Sequence, residues 1–213
     1  RTGDCNVVVW PNSEDVVVPF GQVLGADLLA AGQSLSIHEE IAGRRWRVSA
    51  QSFLQSAPES AELAVGEVQK QIDAGGGAGT LCDLYAGIGL FAGALSYDGR
   101  GVAVEANAHA AADARENLAD TDVVVVGSSV ERWQPQPADI VVADPPRAGL
   151  GAAGVAAVGG TGAATVVLVH CDAAALARDS RLMVDAGHRL EEVAVLDLFP
   201  QTSHVETVSR FSN

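Results

Sequence analysis

From residue 80 onward, short apolar runs alternate with stretches whose apolar positions have helical spacing. The valine-rich runs predict buried strands at residues 80–85, 101–105, 122–126, 139–144, 165–170, 190–199 and 205–211. Helices are predicted from Pro58 to a Gly-rich stop at 74–79, and at 90–96, 107–118, 149–158 and 173–186. Helices that connect consecutive strands predict an α/β fold with a mostly parallel sheet. The last two strands are joined too closely for a crossover, so we expect them to pair antiparallel.

Residues 1–57 have a different pattern. Three short β-like runs, at 7–10, 15–18 and 46–49, are interrupted by glycine and proline. We interpret this part as a small β-rich domain that precedes residues 58–213. The sequence begins at Arg1 without an initiator methionine, so we expect a fragment or a chain whose beginning was removed.

Composition narrows the class of protein. Hydrophobic residues make up 48% of the chain and charged residues 19%, which argues against disorder. Three cysteines in 213 residues exclude a disulfide scaffold. We expect no membrane-spanning segment and no signal peptide, and therefore a cytoplasmic protein. The net charge of −14 argues against a protein that binds nucleic acid mainly by neutralising phosphates.

The strongest local motif is the glycine-containing turn at residues 83–89, between a predicted strand and a helix. Gly87 and Gly89 allow a ligand to approach the backbone closely. Glu105 ends the next strand, where a carboxylate can accept hydrogen bonds from ribose hydroxyls. The third glycine comes one residue too late for the dinucleotide fingerprint, and Asp83 does not suit a pyrophosphate. A ligand with an amino-acid part and an adenosine part, such as S-adenosylmethionine, fits better.

Three further motifs fall at strand ends or in a strand. Asp144 ends the fourth strand before two prolines, Cys171 follows the fifth strand, and Glu206 lies in the otherwise apolar last strand. Each has a plain structural explanation when taken alone: a capping aspartate, a buried small side chain and a solvent-facing acid. A thiol at a helix N-terminus tends to have a lowered pKa, which favours a reactive Cys171. The wide spacing of the cysteines predicts no metal or iron–sulfur site.

Taken together and in this order, these motifs resemble the RNA uracil-5-methyltransferase family, which acts on uridines in tRNA or large-subunit ribosomal RNA. The resemblance extends from about Trp46 to Phe211. It implies a Rossmann-like class I methyltransferase sheet of seven strands at residues 58–213. It also implies that residues 1–57 are part of a β-rich central domain, without the N-terminal RNA-binding barrel that many members have.

The resemblance also implies roles for individual residues. Cys171 matches the nucleophile and Glu206 the general base. The residues that match or lie beside the S-adenosylmethionine site are Gln55, Tyr85, Gly87, Gly89, Glu105 and Asp144. The expected reaction is methyl transfer from S-adenosylmethionine to C5 of a uridine in structured RNA, through a covalent adduct between the cysteine and C6. We expect a monomer with an RNA substrate, no metal, no iron–sulfur cluster and no membrane partner.

Two alternatives stay open. Asp172 and Ala173 stand where family members have Asn-Pro after the nucleophile, which leaves the hypothesis of a non-catalytic S-adenosylmethionine- or RNA-binding relative. A methyltransferase with another target, such as an amino group, is the second alternative, although Arg147 replaces the aromatic residue that such enzymes use. We expect weak, salt-sensitive RNA binding, with Arg147 and an arginine cluster at residues 44–47 as the candidate cations.

Overall fold

The computed structural model describes residues 36–54, 57–198 and 205–213. The strand-like runs predicted at 7–10 and 15–18 and the connection predicted at 200–204 lie outside these ranges. Within the described residues the chain forms two sheets. The smaller is an antiparallel hairpin of β1 (Ser36–Ile41) and β2 (Arg44–Ser49).

The larger sheet has seven strands, as predicted. They are β3 (Leu81–Leu84), β4 (Gly101–Glu105), β5 (Val123–Gly127), β6 (Ile140–Ala143), β7 (Thr165–His170), β8 (Arg189–Leu196) and β9 (Glu206–Ser212). Their order across the sheet is β5-β4-β3-β6-β7-β9-β8. Strands β3 to β7 are parallel, and β9 runs antiparallel to both β7 and β8. The predicted α/β fold with an antiparallel final hairpin is therefore confirmed.

Five helices within the described residues cover this sheet. They are α1 (Pro58–Ala74), α2 (Leu90–Ala94), α3 (Ala108–Asn117), α4 (Gly151–Thr161) and α5 (Ala173–Asp185). Pro58 begins α1, where its missing N–H would have had no helical partner. The side chain of Asn107 caps α3 by accepting from His109 N at 2.9 Å, as predicted. Helix α4 begins without a side-chain cap from its own N-cap residue.

Each face of the sheet has its own hydrophobic core, because successive strand residues point to opposite faces. Leu81 packs with α1 and α2 on one face, whereas Cys82 packs with α4 and α5 on the other. Trp46 of β2 is fully buried in the first core, where Gly93 leaves room for its ring. The hairpin and the large sheet therefore share one core, while the domain boundary placed at residue 57 stays a prediction.

Two polar side chains of α3 also fasten the hairpin to the sheet. The buried carboxylate of Asp113 accepts from Ser49 N at 2.7 Å, from Ser52 Oγ at 2.6 Å and from the guanidinium of Arg47. Asn117, one turn later, exchanges hydrogen bonds with the backbone of Arg47. These bonds fix the segment that leads from β2 towards the carboxyl edge of the parallel strands, where ligands bind in such folds.

Candidate functional site

A cavity of about 650 Å³ lies at the carboxyl ends of β3, β4, β6 and β7. Its volume falls within the range of small-molecule sites. Six of the eight predicted site residues line it: Tyr85, Gly87, Glu105, Asp144, Cys171 and Glu206. Gly89 is in the adjoining turn but does not line the cavity, and Gln55 lies outside the described residues. Apolar side chains, including Phe53, Leu54 and Phe91, form much of the remaining wall.

The sheet register brings Cys171 and Glu206 together. Strands β7 and β9 pair His170 with Thr207, and Thr207 Oγ1 donates to His170 O at 3.1 Å. Cys171 and Glu206 are the next residues beyond this pair: Cys171 follows the end of β7, and Glu206 is the first residue of β9. A thiol and a carboxylate that are 35 residues apart in sequence therefore face the same cavity.

Glu105 organises the glycine-containing turn. Its carboxylate accepts from Gly87 N at 2.8 Å and from Asn107 N at 2.6 Å, so it joins the turn to the end of β4. Both glycines have positive φ, +56° at Gly87 and +87° at Gly89, but they serve different purposes. A Cβ at Gly89 would come within 2.7 Å of Leu118, whereas a Cβ at Gly87 would meet open space. Gly89 thus permits packing, and Gly87 leaves the cavity wall open to a ligand.

Tyr85 stands at the start of the same turn in the left-handed region, with a φ of 60°, although it is not a glycine. Such a conformation is strained for a residue with a side chain, and residues of this kind cluster at functional sites. Its hydroxyl lies 3.4 Å from Glu131 Oε1. Burial and the neighbouring Glu131 carboxylate raise the pKa of Tyr85 above its usual range, so the phenol stays protonated.

The cavity and its floor are rich in carboxylates. Burial, reinforced by the charge of Glu206, raises the pKa of Asp144 to about 7. Asp83 lies fully buried beneath the turn, and its Oδ2 accepts from Ala92 N at 2.9 Å. Burial raises the pKa of Asp83 to about 8, against the opposing effect of that hydrogen bond. A cationic ligand in the cavity would favour the ionised form of Asp144, which lines it.

The thiol of Cys171 differs from the expectation. Burial and the charge of Glu206 raise its pKa, with a smaller contribution from Asp144, whereas a hydrogen bond from the Arg147 guanidinium works in the opposite direction. The expectation of a lowered pKa was therefore wrong: burial and the carboxylates of Glu206 and Asp144 raise the pKa of Cys171. Among the described residues, Arg147 is the one whose side-chain hydrogen bond favours the thiolate.

Asp172 has a structural role. Its Oδ1 accepts from Ala175 N at 2.7 Å and caps α5, as an asparagine would. The side chain therefore points into its own helix, and the charges that raise the pKa of Cys171 come from Glu206 and Asp144.

Two of the arginines expected to meet RNA are engaged within the protein. Arg44 pairs with Asp120 and lies over the ring of Trp46, 5.2 Å from its centroid. Arg47 pairs with Asp113 of α3. Their charges hold the hairpin against α3, whereas Arg147 is exposed beside the cavity.

A second depression, of about 640 Å³, lies at the amino ends of β3, β4 and β5 and contains none of the predicted site residues. Across residues 36–54, 57–198 and 205–213, no group of three or more His, Cys, Asp or Glu side chains is arranged to hold a metal ion. None of the helices in the described ranges is long and apolar enough to cross a bilayer.

Residues 130–211 match the family model of the tRNA (uracil-5-)-methyltransferases. An uncharacterized RNA methyltransferase of Streptomyces coelicolor is 39% identical over 182 residues, which cover 81% of this chain and 40% of that protein. This chain resembles the RNA uracil-5-methyltransferase family. Another uncharacterized RNA methyltransferase, from Enterococcus faecalis, is 31% identical over 198 residues, which cover 88% of this chain and 43% of that protein. The chain thus spans about two fifths of the length of these relatives.

A solved member of the family has the same fold. The Pyrococcus abyssi tRNA (uracil-54, C5)-methyltransferase, crystallised with S-adenosyl-L-homocysteine, aligns with a TM-score of 0.72 and 28% identity, covering 83% of this chain and 44% of that one. The likeness confirms the predicted class I methyltransferase sheet preceded by a small β-structure.

Sequence reasoning missed the side chains that hold the site in shape. Asn117 donates from Nδ2 to Ile88 O, inside the glycine-containing turn, at 3.0 Å. Asp179 is buried and contacts both the segment after β6 and the end of β7. One signal was present: Asp113 and Asn117 are four residues apart on α3, on the face that carries Ala110 and Ala114. Polar residues at such spacing on an apolar face indicate buried hydrogen bonds.

Proposed function

We propose that this protein transfers a methyl group from S-adenosylmethionine to C5 of a uridine in structured RNA, in the cytoplasm. The observation that carries the proposal is the cavity lined together by Cys171, Glu206, Asp144 and the turn at Gly87. A nucleophile, a base and a glycine-lined cofactor wall are the three parts that this reaction requires.

The cofactor wall fits S-adenosylmethionine chemically. Glu105 already accepts two hydrogen bonds at the end of β4, and we assign it to the ribose hydroxyls. The open space at Gly87 admits the ligand against the backbone. The carboxylate of Asp144 suits the positive charge of the sulfonium. Bound S-adenosylmethionine would supply the methyl group, whose bond to sulfur breaks as the C5–methyl bond forms.

Cys171 begins the chemistry on the uracil ring. C5 of uracil is a weak nucleophile, and addition of the Cys171 thiolate to C6 makes C5 electron-rich. The pKa of Cys171 is raised although Arg147 opposes the rise, so Arg147 reduces the cost of forming the thiolate without removing it. Cys82, the other described cysteine, is 2% exposed within β3, and burial raises the pKa of its thiol to about 12. Of the two cysteines in the described ranges, we therefore assign the chemistry to Cys171.

Glu206 completes the reaction. After methylation, C5 carries both the methyl group and its original proton. Glu206 takes that proton, the C5–C6 double bond re-forms, and the bond between C6 and the Cys171 sulfur breaks to release 5-methyluridine. Because the target base would be stacked in folded RNA, it must be turned out into the cavity.

Trapping with 5-fluorouridine RNA tests the proposal. The fluorine at C5 cannot leave as a cation, so the methylated adduct persists and is detected by intact-mass measurement with S-adenosylmethionine present. We expect an adduct with the wild type and with Cys82→Ala, and none with Cys171→Ser. Adduct formation by Cys171→Ser would contradict the assigned nucleophile. Binding of S-adenosylmethionine without any adduct would favour the non-catalytic relative.

A further inference from the structure

Asp179 contacts two segments that carry the proposed chemistry. It lies on α5, and its side chain is 2% exposed. Oδ2 accepts from Leu150 N at 2.6 Å and lies 2.9 Å from His170 Nε2, while Oδ1 lies 3.1 Å from Gly151 N and accepts from it. His170 directly precedes Cys171, and Leu150 follows the segment that begins at Asp144. The Asp179 carboxylate thus connects the segment that follows β6 to the end of β7.

The segment after β6 is held at several points, one of which is a hydrogen bond from Arg178 Nη2 to Ala148 O at 3.4 Å. At its start, Asp144 N donates to Leu84 O at 3.3 Å, which fixes Asp144 to the sheet independently of Asp179. Further along, Gly149 N donates to Pro146 O at 2.7 Å and closes a tight turn that contains Arg147. The backbone immediately after this turn is the part that Asp179 holds. Displacement of that anchor would therefore move Arg147 more than Asp144.

Gly149 explains why the anchor can come so close. Its φ is +82°, and a Cβ at this position would overlap the carboxylate of Asp179. With Asp179 in this place, a residue with a side chain would not fit at position 149. Neither Gly149 nor Asp179 lines the cavity, so neither is placed as a ligand-binding group.

We propose that Asp179 is a positioning residue for the methyl-transfer reaction, because its carboxylate sets the location of Arg147 relative to Cys171. The proposal rests on the proposed function and deepens it. Asp179 also supplies the cap that helix α4 lacks, since it accepts from the first N–H groups of that helix. Loss of the cap alone would lower stability, whereas loss of positioning would also change how the thiol of Cys171 ionises.

Asp179→Asn tests the proposal because the amide keeps the size of the side chain and replaces one acceptor oxygen with a donor. We expect the adduct with 5-fluorouridine RNA to form about 10- to 100-fold more slowly, as small misplacements of reacting groups can cause. The affinity for S-adenosylmethionine should stay at the wild-type value. The pH at which adduct formation is half-maximal should rise, because a displaced Arg147 no longer supports the thiolate.

Two further variants make the test decisive. Asp185→Asn, on the same helix but exposed and paired with Arg181, is the matched control and should behave as the wild type. Gly149→Ala pushes against the anchor while keeping the carboxylate, so it should slow adduct formation and raise the half-maximal pH as Asp179→Asn does. If the two positions act through one contact, the double variant will be no slower than the slower single variant.

The outcomes separate this proposal from the proposed function. If the wild type forms no adduct, the proposed function fails. If the wild type forms the adduct while Asp179→Asn matches it in rate and half-maximal pH, the positioning role is overturned and the proposed function stands. Should Asp179→Asn lack a cooperative unfolding transition, Gly149→Ala decides, and a wild-type rate and pH profile there overturns the proposal.

Discussion

The carboxylates of Asp144 and Glu206 share one cavity, and the charge of Glu206 contributes to raising the pKa of Asp144 to about 7. Two like charges in a partly desolvated space favour keeping a proton on one of them. A positively charged ligand reverses that preference. The pair therefore couples cofactor binding to proton release.

This coupling predicts pH-dependent cofactor binding. Ionisation of Asp144 should strengthen S-adenosylmethionine binding by up to about tenfold between pH 6 and pH 8. The reason is that the pKa of Asp144 in the ligand-free protein, about 7, lies in the middle of that range. S-adenosyl-L-homocysteine has a neutral sulfur and should show a smaller effect. Isothermal titration of both ligands at the two pH values measures the difference. Equal pH dependence for the two ligands, or its persistence in Asp144→Asn, would refute the account.

Asp83 predicts a pH effect on stability. Its raised pKa means that the folded protein holds a proton that the unfolded chain releases above about pH 4, so its contribution to stability falls as pH rises towards 8. Asp83→Asn keeps an acceptor for Ala92 N and removes this loss. The melting temperature of the variant, relative to the wild type, should therefore increase from pH 5 to pH 8.

Asp139 provides a control because its pKa is shifted in the opposite direction to that of Asp83. Hydrogen bonds from Thr80 N at 2.8 Å and Thr80 Oγ1 at 2.9 Å hold the pKa of its carboxyl below the usual range. Its contribution is present at neutral pH and disappears as pH falls through the folded-state pKa. Asp139→Asn should therefore be less stable than the wild type at pH 8, with a difference that shrinks in acid. If the melting temperatures of Asp83→Asn and Asp139→Asn, each relative to the wild type, changed in the same direction as the pH rises, the assigned pKa shifts would be contradicted.

Asn117 should affect cofactor affinity from outside the cavity. Its amide donates to Ile88 O at 3.0 Å and to Arg47 O at 3.0 Å. Asn117→Asp loses both donations and places a carboxylate against two carbonyls, which we expect to cost about 1–3 kcal/mol of stability. Because Ile88 lies between the two glycines of the turn, binding of S-adenosylmethionine should also weaken by about tenfold. An unchanged dissociation constant in the folded variant would show that the turn holds its shape without Asn117.

Asp172 should be replaceable by asparagine but not by alanine. Its side chain caps α5 through Ala175 N. Asp172→Asn keeps the cap and should leave the melting temperature and the pH profile of adduct formation near those of the wild type. Asp172→Ala should lose about 1 kcal/mol of unfolding free energy. A large downward shift of the half-maximal pH in Asp172→Asn would instead mean that this carboxylate acts on the thiol of Cys171.

The sheet could be predicted because its signals are local. Runs such as Ile140–Ala143 are apolar throughout, and residues that favour strand ends, such as Gly87, follow them. The positions of Cys171 and Glu206 could be predicted once the strand order was known, because a strand end fixes where a residue lies. The order of the strands across the sheet was not predicted and is given by the structure.

The remaining features depend on contacts that sequence spacing does not encode. From the sequence alone, Arg47 is interpreted as a cation that faces RNA. The structure pairs it with the buried Asp113, which lies 66 residues later in the chain. Asp179 has the sequence context of an acidic residue on a helix surface. Its contacts with Leu150 N and His170 become visible only in the folded structure. The pKa of Cys171 depends on the distances to several charged groups, which the helix N-terminus alone did not reveal.

The central claim is that Cys171 enables methylation of C5 of uridine in RNA. The most direct test incubates the purified chain with S-adenosylmethionine and unmodified RNA, followed by nucleoside mass spectrometry. We predict the appearance of 5-methyluridine with the wild type and with Cys82→Ala, and its absence with Cys171→Ser. Methylation of a different nucleoside, or undiminished 5-methyluridine from Cys171→Ser, would contradict the account.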